Sequence, residues 1–117
     1  MLIISDRERL NHILDAIDKI AEALTGFTYE SFDQDWQKRL VIERLLEIIG
    51  EAANHLSPEL RNAHPQIPWP QIIGMRNLVS HEYFRIDTRT IWLTAIESVP
   101  KLRSDIEKIV NELSVAE

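Results

Sequence analysis

Residues 74–84 read GMRNLVSHEYF and gather an arginine, an asparagine, a serine, a histidine and a tyrosine within eight positions. A guanidinium holds phosphate oxygens in a planar fork and stabilises negative charge as it develops. An imidazole moves a proton near neutral pH. Asn77 and Ser80 both donate and accept hydrogen bonds. Together these side chains suit the binding of a phosphodiester and attack upon it, and nothing in the set requires a metal. The same residue types also serve a plainer purpose, capping a neighbouring helix and satisfying buried carbonyls, and spacing alone leaves that alternative open.

At about 100° per residue, Ile72, Met75, Leu78, Val79 and Tyr83 fall on one apolar side of a helix. Arg76, Asn77, Ser80 and His81 occupy a polar arc roughly 140° wide, with Arg76 and His81 at its edges. Tyr83 stands at the boundary of the two sides, one turn from Ser80 and two from Arg76. One such helix makes a poor complete active site, because its Arg and His diverge. A two-fold dimer that pairs the helix with its copy brings two of each into one cleft, one His as base and the other as acid. Ser80, Glu82 and Arg85 are the further candidates for lining that cleft.

The elements that must hold this stretch are helical. Leu10, Ile13, Leu14, Ile17, Ile20, Ala21 and Leu24 form an amphipathic stripe, with a capping box at Ser5 and Glu8 and a stop at Thr25-Gly26. A second helix is predicted to open at Ser31, with Gln34 as the reciprocal cap, and to run to about His55. Its apolar arc is too wide for one contact face, so it packs on two sides. Ser57-Pro58-Glu59 starts a short helix that stops before Pro65. The third main helix begins near Pro68 or Pro70 and includes the motif. Asp87 caps the last helix, with a kink or local break at Pro100. The tryptophans at 36, 69 and 92 sit within apolar patterns and are expected in the core. The fold class is all-α, an antiparallel four-helix bundle with a short extra helix, one domain over residues 1–117.

Composition narrows the function classes. The chain carries a net charge of −6, which argues against a broad nucleic-acid surface. Residues 1–71 hold 7 basic and 12 acidic side chains, whereas Arg76 to Arg103 hold 5 and 3, so the motif lies in the locally basic part. Cysteine is absent, which excludes disulfides and thiolate metal sites. No apolar run approaches the ~20 residues of a membrane span, and the first residues have the wrong order for a signal peptide, so a cytoplasmic protein is expected. Glu47, Glu51 and His55 share a helix face and could hold a metal, but with Arg44 nearby a salt-bridge stripe is the better reading. Asp15, Asp18 and Glu22 beside Lys19 read as a solvated face. His12 and His64 have no partner that the sequence identifies.

Arg76, four intervening residues, His81, Glu82 and Tyr83 reproduce the R-x-x-x-x-H-x-Y signature of HEPN-domain proteins. The stretches IGEAA (49–53) and WPQIIGMRNLVSHEYFRID (69–87) resemble the DUF86 or HepT branch, and the likeness covers nearly the whole chain. The resemblance implies a homodimeric, metal-independent RNase acting as a toxin on tRNA or mRNA, without a cofactor. Arg76 and His81 would be its catalytic pair and Asn77 a helper. It further implies that Tyr83 accepts AMP from a minimal nucleotidyltransferase (MntA-like) antitoxin. The rival is a non-catalytic dimeric HEPN module that binds nucleotide or docks the nucleotidyltransferase.

Overall fold

The computed structural model describes residues 5–77 and 87–116, the side chains of residues 115 and 116 excepted. Its elements are α1 (Asp6–Ala23), α2 (Tyr29–Asp33), α3 (Trp36–Asn54), α4 (Pro58–Ala63), α5 (Trp69–Gly74), α6 (Thr88–Leu93), a π-helical turn (Thr94–Ser98) and α7 (Val99–Ala116). Every described element is helical. No helix among the described residues is long and apolar enough to cross a membrane.

Local capping sets the boundaries. The Ser5 hydroxyl accepts from the Glu8 N–H at 3.1 Å and starts α1, and Gly26, with φ of 80°, takes the left-handed turn that ends this segment. Ser57 accepts from Leu60 N–H at 3.2 Å to start α4, and Asp87 accepts from Arg89 N–H at 3.0 Å to start α6. All three caps are those the sequence predicts.

The helix expected over 31–55 is instead two helices. Thr28 and Ser31 cap each other, Ser31 Oγ accepting from Thr28 N–H at 2.9 Å and Thr28 Oγ1 from Ser31 N–H at 3.2 Å. Ser31 therefore lies inside α2, Gln34 closes that helix, and Asp35 starts α3 by accepting from Lys38 N–H at 2.9 Å. The extra helix points Phe32 fully into the core, its ring 5.3 Å from that of Trp92. Trp69 and Trp92 are buried as expected, but Trp36 is 63 % exposed. It is the first residue of α3.

Leu10, Ile13, Ile17 and Ile20 of α1 pack against Ile42, Leu46 and Ile49 of α3 and against Val99, Leu102, Ile106 and Ile109 of α7. Polar contacts fix the directions. Asp6 at the start of α1 accepts from the N–H and hydroxyl of Ser57, just beyond α3, at 2.9 and 2.6 Å. Arg7 donates to Ser114 at 3.1 Å, and Arg103 to both oxygens of Asp18 at 2.8 and 3.2 Å. Helix α1 is thus antiparallel to both α3 and α7. Arg103 also pairs with Glu107, and its hydrogen bonds hold the Asp18 carboxyl below the ordinary carboxylate range. The acidic stripe of α1 is therefore partly a tie to α7, with Lys19 pairing Asp15 at 2.9 Å on the solvated side.

The break expected near Pro100 is the π-helical turn ahead of it. Val99 N–H reaches back five residues to the Thr94 carbonyl. Pro100, having no N–H, closes no bond of its own one turn back. His64, for which the sequence names no partner, lies 3.5 Å from Glu112 of α7.

Candidate functional site

Helix α5 carries the front of the motif. Trp69 anchors it, its ring N–H donating to the carbonyls of Arg61 and His64 at 3.2 and 3.0 Å and so closing α4. Met75 and Arg76 donate their N–H groups to Ile72 and Ile73, three residues back, at 3.1 and 3.3 Å. The helix tightens and ends there, Met75 and Arg76 form a turn, and Asn77 resumes helical geometry. The single helix expected to run through the motif is therefore interrupted at Arg76. The arc drawn for a continuous helix does not carry across that turn. Ser80, His81, Glu82, Tyr83 and Arg85 lie outside the described residues.

Arg76 is held by α3. A Cβ added to Gly50 would lie 2.6 Å from Arg76 N, 2.9 Å from Arg76 Cβ and 2.9 Å from the Ile73 carbonyl oxygen. Only a residue without a side chain lets the two backbones approach this closely. The next residue, Glu51, receives the Arg76 guanidinium at 3.4 Å. That single long contact between half-exposed groups contributes at most about 1 kcal/mol. Among the described residues it is the one side-chain contact of the guanidinium, whose other N–H donors suit an anionic ligand. Asn77 follows, exposed to solvent. The quoted stretch IGEAA is thus the seat of Arg76, a role that no local pattern in it signals.

The Glu47, Glu51 and His55 stripe resolves into separate contacts. Glu47 pairs with Arg44, Glu51 with Arg76, and the His55 ring nitrogen Nδ1 lies 2.8 Å from the Glu51 carbonyl. Among the described residues no three such groups are placed to share a metal. At about 100° per residue, Trp36, Leu40, Arg44, Glu47 and Glu51 fall within about 80° of one another on α3. Leu40 and Val41 are 51 and 47 % exposed. One face of α3 therefore offers an uncovered apolar end and, further along, the carboxylate that meets Arg76. Glu43, at the edge of this face, has its carboxyl raised by burial, with Arg39 working in the opposite direction.

The family described as "Ribonuclease HepT-like" matches residues 13–109, most of the chain. The chain is 37 % identical over 106 residues to "Putative RNase TTE0752" of Caldanaerobacter subterraneus subsp. tengcongensis, covering 91 % of this chain and 95 % of that one. It is 35 % identical over 105 residues to "Probable ribonuclease HepT" of Thermococcus cleftensis, covering 90 and 96 %. No solved structure gives a significant match. A helical chain with a tethered arginine at the head of its R-x-x-x-x-H-x-Y segment, matched along nearly its whole length, belongs to the HepT-like ribonuclease family.

Proposed function

We propose that the protein is a metal-independent endoribonuclease toxin, active as a homodimer that joins two copies of the motif. The observation that supports this reading most directly is Arg76, fixed by Gly50 and Glu51 yet open to an anion. In the reaction, the 2′-oxygen of RNA forms a bond to the adjacent phosphorus while the bond to the 5′-oxygen breaks. His81 of one subunit takes the 2′-hydroxyl proton, and its counterpart protonates the departing 5′-oxygen. Arg76 stabilises the added charge on the phosphoryl oxygens, and Asn77 donates beside it. The products are a 2′,3′-cyclic phosphate and a 5′-hydroxyl end. Purified protein incubated with tRNA or mRNA and EDTA should yield these ends. His81→Ala and Arg76→Ala should each reduce cleavage on the order of 100- to 10,000-fold. Arg76→Lys should restore little, because a point charge lacks the fork. Wild-type cutting by His81→Ala would remove the acid–base assignment.

Tyr83 is the proposed point of control. A nucleotidyltransferase antitoxin would join AMP to its phenolic oxygen and release pyrophosphate from ATP. The modification places a bulky anion where Arg76 must receive RNA phosphate. After co-expression with that enzyme, the intact mass of wild type should rise by one or more AMP groups. Tyr83→Phe should gain none while still cutting RNA. AMP on Tyr29 or another residue would contradict the assignment. A non-catalytic reading has one observation in its favour, since Glu51 at 3.4 Å offsets the charge of Arg76 in a chain of net charge −6. In that case the motif would bind a nucleotide or the antitoxin without cutting, and the EDTA experiment would yield intact RNA.

A further inference from the structure

On the side of α5 away from Gly50, a cavity of about 530 Å³ opens between α5 and the start of α7. That volume falls within the about 300–1,000 Å³ of small-ligand sites. Its floor is Ile72, Met75 and Leu102, side chains that are themselves core, so the open cleft bottoms on the interior. Gly74 forms part of the wall, and a Cβ added there would meet nothing within 4 Å. The space beside it is therefore empty, in contrast to the filled space at Gly50.

The rim carries Lys101 and Asp105, one helical turn apart on α7. At this spacing a lysine and an aspartate commonly pair, yet among the described residues neither side chain has a partner. An ammonium donor and a carboxylate acceptor thus stand side by side over an apolar floor. The Watson–Crick edge of guanine presents the complementary series, the O6 acceptor beside the N1–H and N2–H donors. Adenine can turn over to donate from N6 to Asp105 and accept at N1 from Lys101, two bonds in all, whereas guanine gives the carboxylate both N1–H and N2–H and adds O6, three in all. The aliphatic side chains and the Met75 thioether below would take the ring face by apolar contact.

We propose that this cavity binds a guanine base, with Asp105 accepting from N1–H and N2–H, Lys101 donating to O6, and Met75, Ile72 and Leu102 beneath the ring. The base could arrive on a free nucleotide or within an RNA strand. The strand form rests on the ribonuclease reading, because Met75 in the floor directly precedes Arg76; the mononucleotide form does not depend on it.

The test is a titration of the full chain with guanosine 5′-monophosphate and, separately, adenosine 5′-monophosphate, followed by amide chemical shifts and calorimetry. Guanosine monophosphate should bind about tenfold or more tightly than the adenosine form, with shifts at Gly74, Met75 and Lys101. Asp105→Asn should bring the two affinities to within about threefold. Gly74→Leu should fill the cavity and abolish binding. Gly74→Ala, which adds only a methyl group to open space, should fold as wild type and serves as the control for the leucine. Arg76→Ala should still bind; loss of binding there would place the nucleotide at Arg76 and overturn the cavity assignment. Equal affinities for the two nucleotides, or no shifts at the cavity, would overturn it as well. An RNA hexamer with one guanosine, compared with its adenosine counterpart, separates the sources. Sensitivity of that hexamer to Gly74→Leu assigns the base to the strand, and sensitivity of the mononucleotide alone assigns it to a free ligand. Neither readout requires RNA to be cut, so an inactive enzyme and an empty cavity give distinct results.

Discussion

Gly50→Ala is expected to lose most RNA cleavage and several degrees of thermal stability, although alanine is the better helix former by about 1 kcal/mol. The added methyl would stand 2.6 Å from Arg76 N and 2.9 Å from the Ile73 carbonyl oxygen, both backbone atoms that cannot swing aside. The end of α5 must retreat from α3, a steric cost of about 1–3 kcal/mol. For a chain of this size that exceeds the propensity gain and lowers the melting temperature by a few degrees per kcal/mol. The retreat also carries Arg76 out of place, and a displacement of about 1 Å at a catalytic group can cost about 100-fold in rate. Gly74→Ala supplies the contrast, because the same propensity gain arises there without any clash. Thermal melts and RNA cleavage on both variants check the pair. A Gly50→Ala protein as stable and active as wild type would mean that the contact with α3 does not position Arg76.

The second large effect concerns the exposed face of α3. Trp36, Leu40 and Val41 lie uncovered on the helix that also presents Glu51 to Arg76. Clustered apolar side chains of this size mark an interaction surface, and the proposed dimer would cover them. Buried tryptophans at interfaces commonly contribute 2 kcal/mol or more, roughly a 30-fold change in affinity. Trp36→Glu with Leu40→Glu should therefore convert a dimer, twice the 13.6 kDa chain, to monomer in sedimentation at micromolar concentration. Because both side chains are already exposed in the single chain, its helical content should not change. RNA cleavage should fall with the dimer and return partly at higher protein concentration. A variant that stays dimeric would place the interface elsewhere, and a monomeric wild type would remove the dimer from the mechanism.

What the sequence made legible was governed by range. Ser5, Ser57 and Asp87 cap helices through bonds to residues two or three positions on, and each could be read directly. The stripe of α1 was legible because its period is intrinsic to the helix. From Thr28 to Asp35, four good capping residues compete (Thr28, Ser31, Asp33 and Asp35), and local chemistry cannot choose among them. The outcome reflects Phe32 packing on Trp92, a contact across sixty positions that no local pattern records. The exposure of Trp36 is hidden for the same reason, since apolar character fits an uncovered face as well as a core. At the site, the identity of Arg76 was legible and its setting was not. Its turn, its neighbour Gly50 and its pairing with Glu51 arise where two helices meet.

The antiparallel fit of α1 against α7 also has a consequence for the order in which the chain becomes structured. Asp6 meets Ser57 across 51 positions, whereas Arg7 meets Ser114 across 107. Doubling a loop adds only about 0.6 kcal/mol to its closure, so equilibrium stability is little affected by the difference. Synthesis is directional, however, and α7 is made after α1 and α3. A nascent chain can pair α1 with α3 early, but the part of α1 that α7 covers stays bare until α7 has left the ribosome. The part of the cavity floor formed by Leu102 is equally late. Incomplete chains released by stalled ribosomes would thus expose Leu10, Ile13 and Ile17 without a finished core, making them substrates for proteolysis rather than folded proteins.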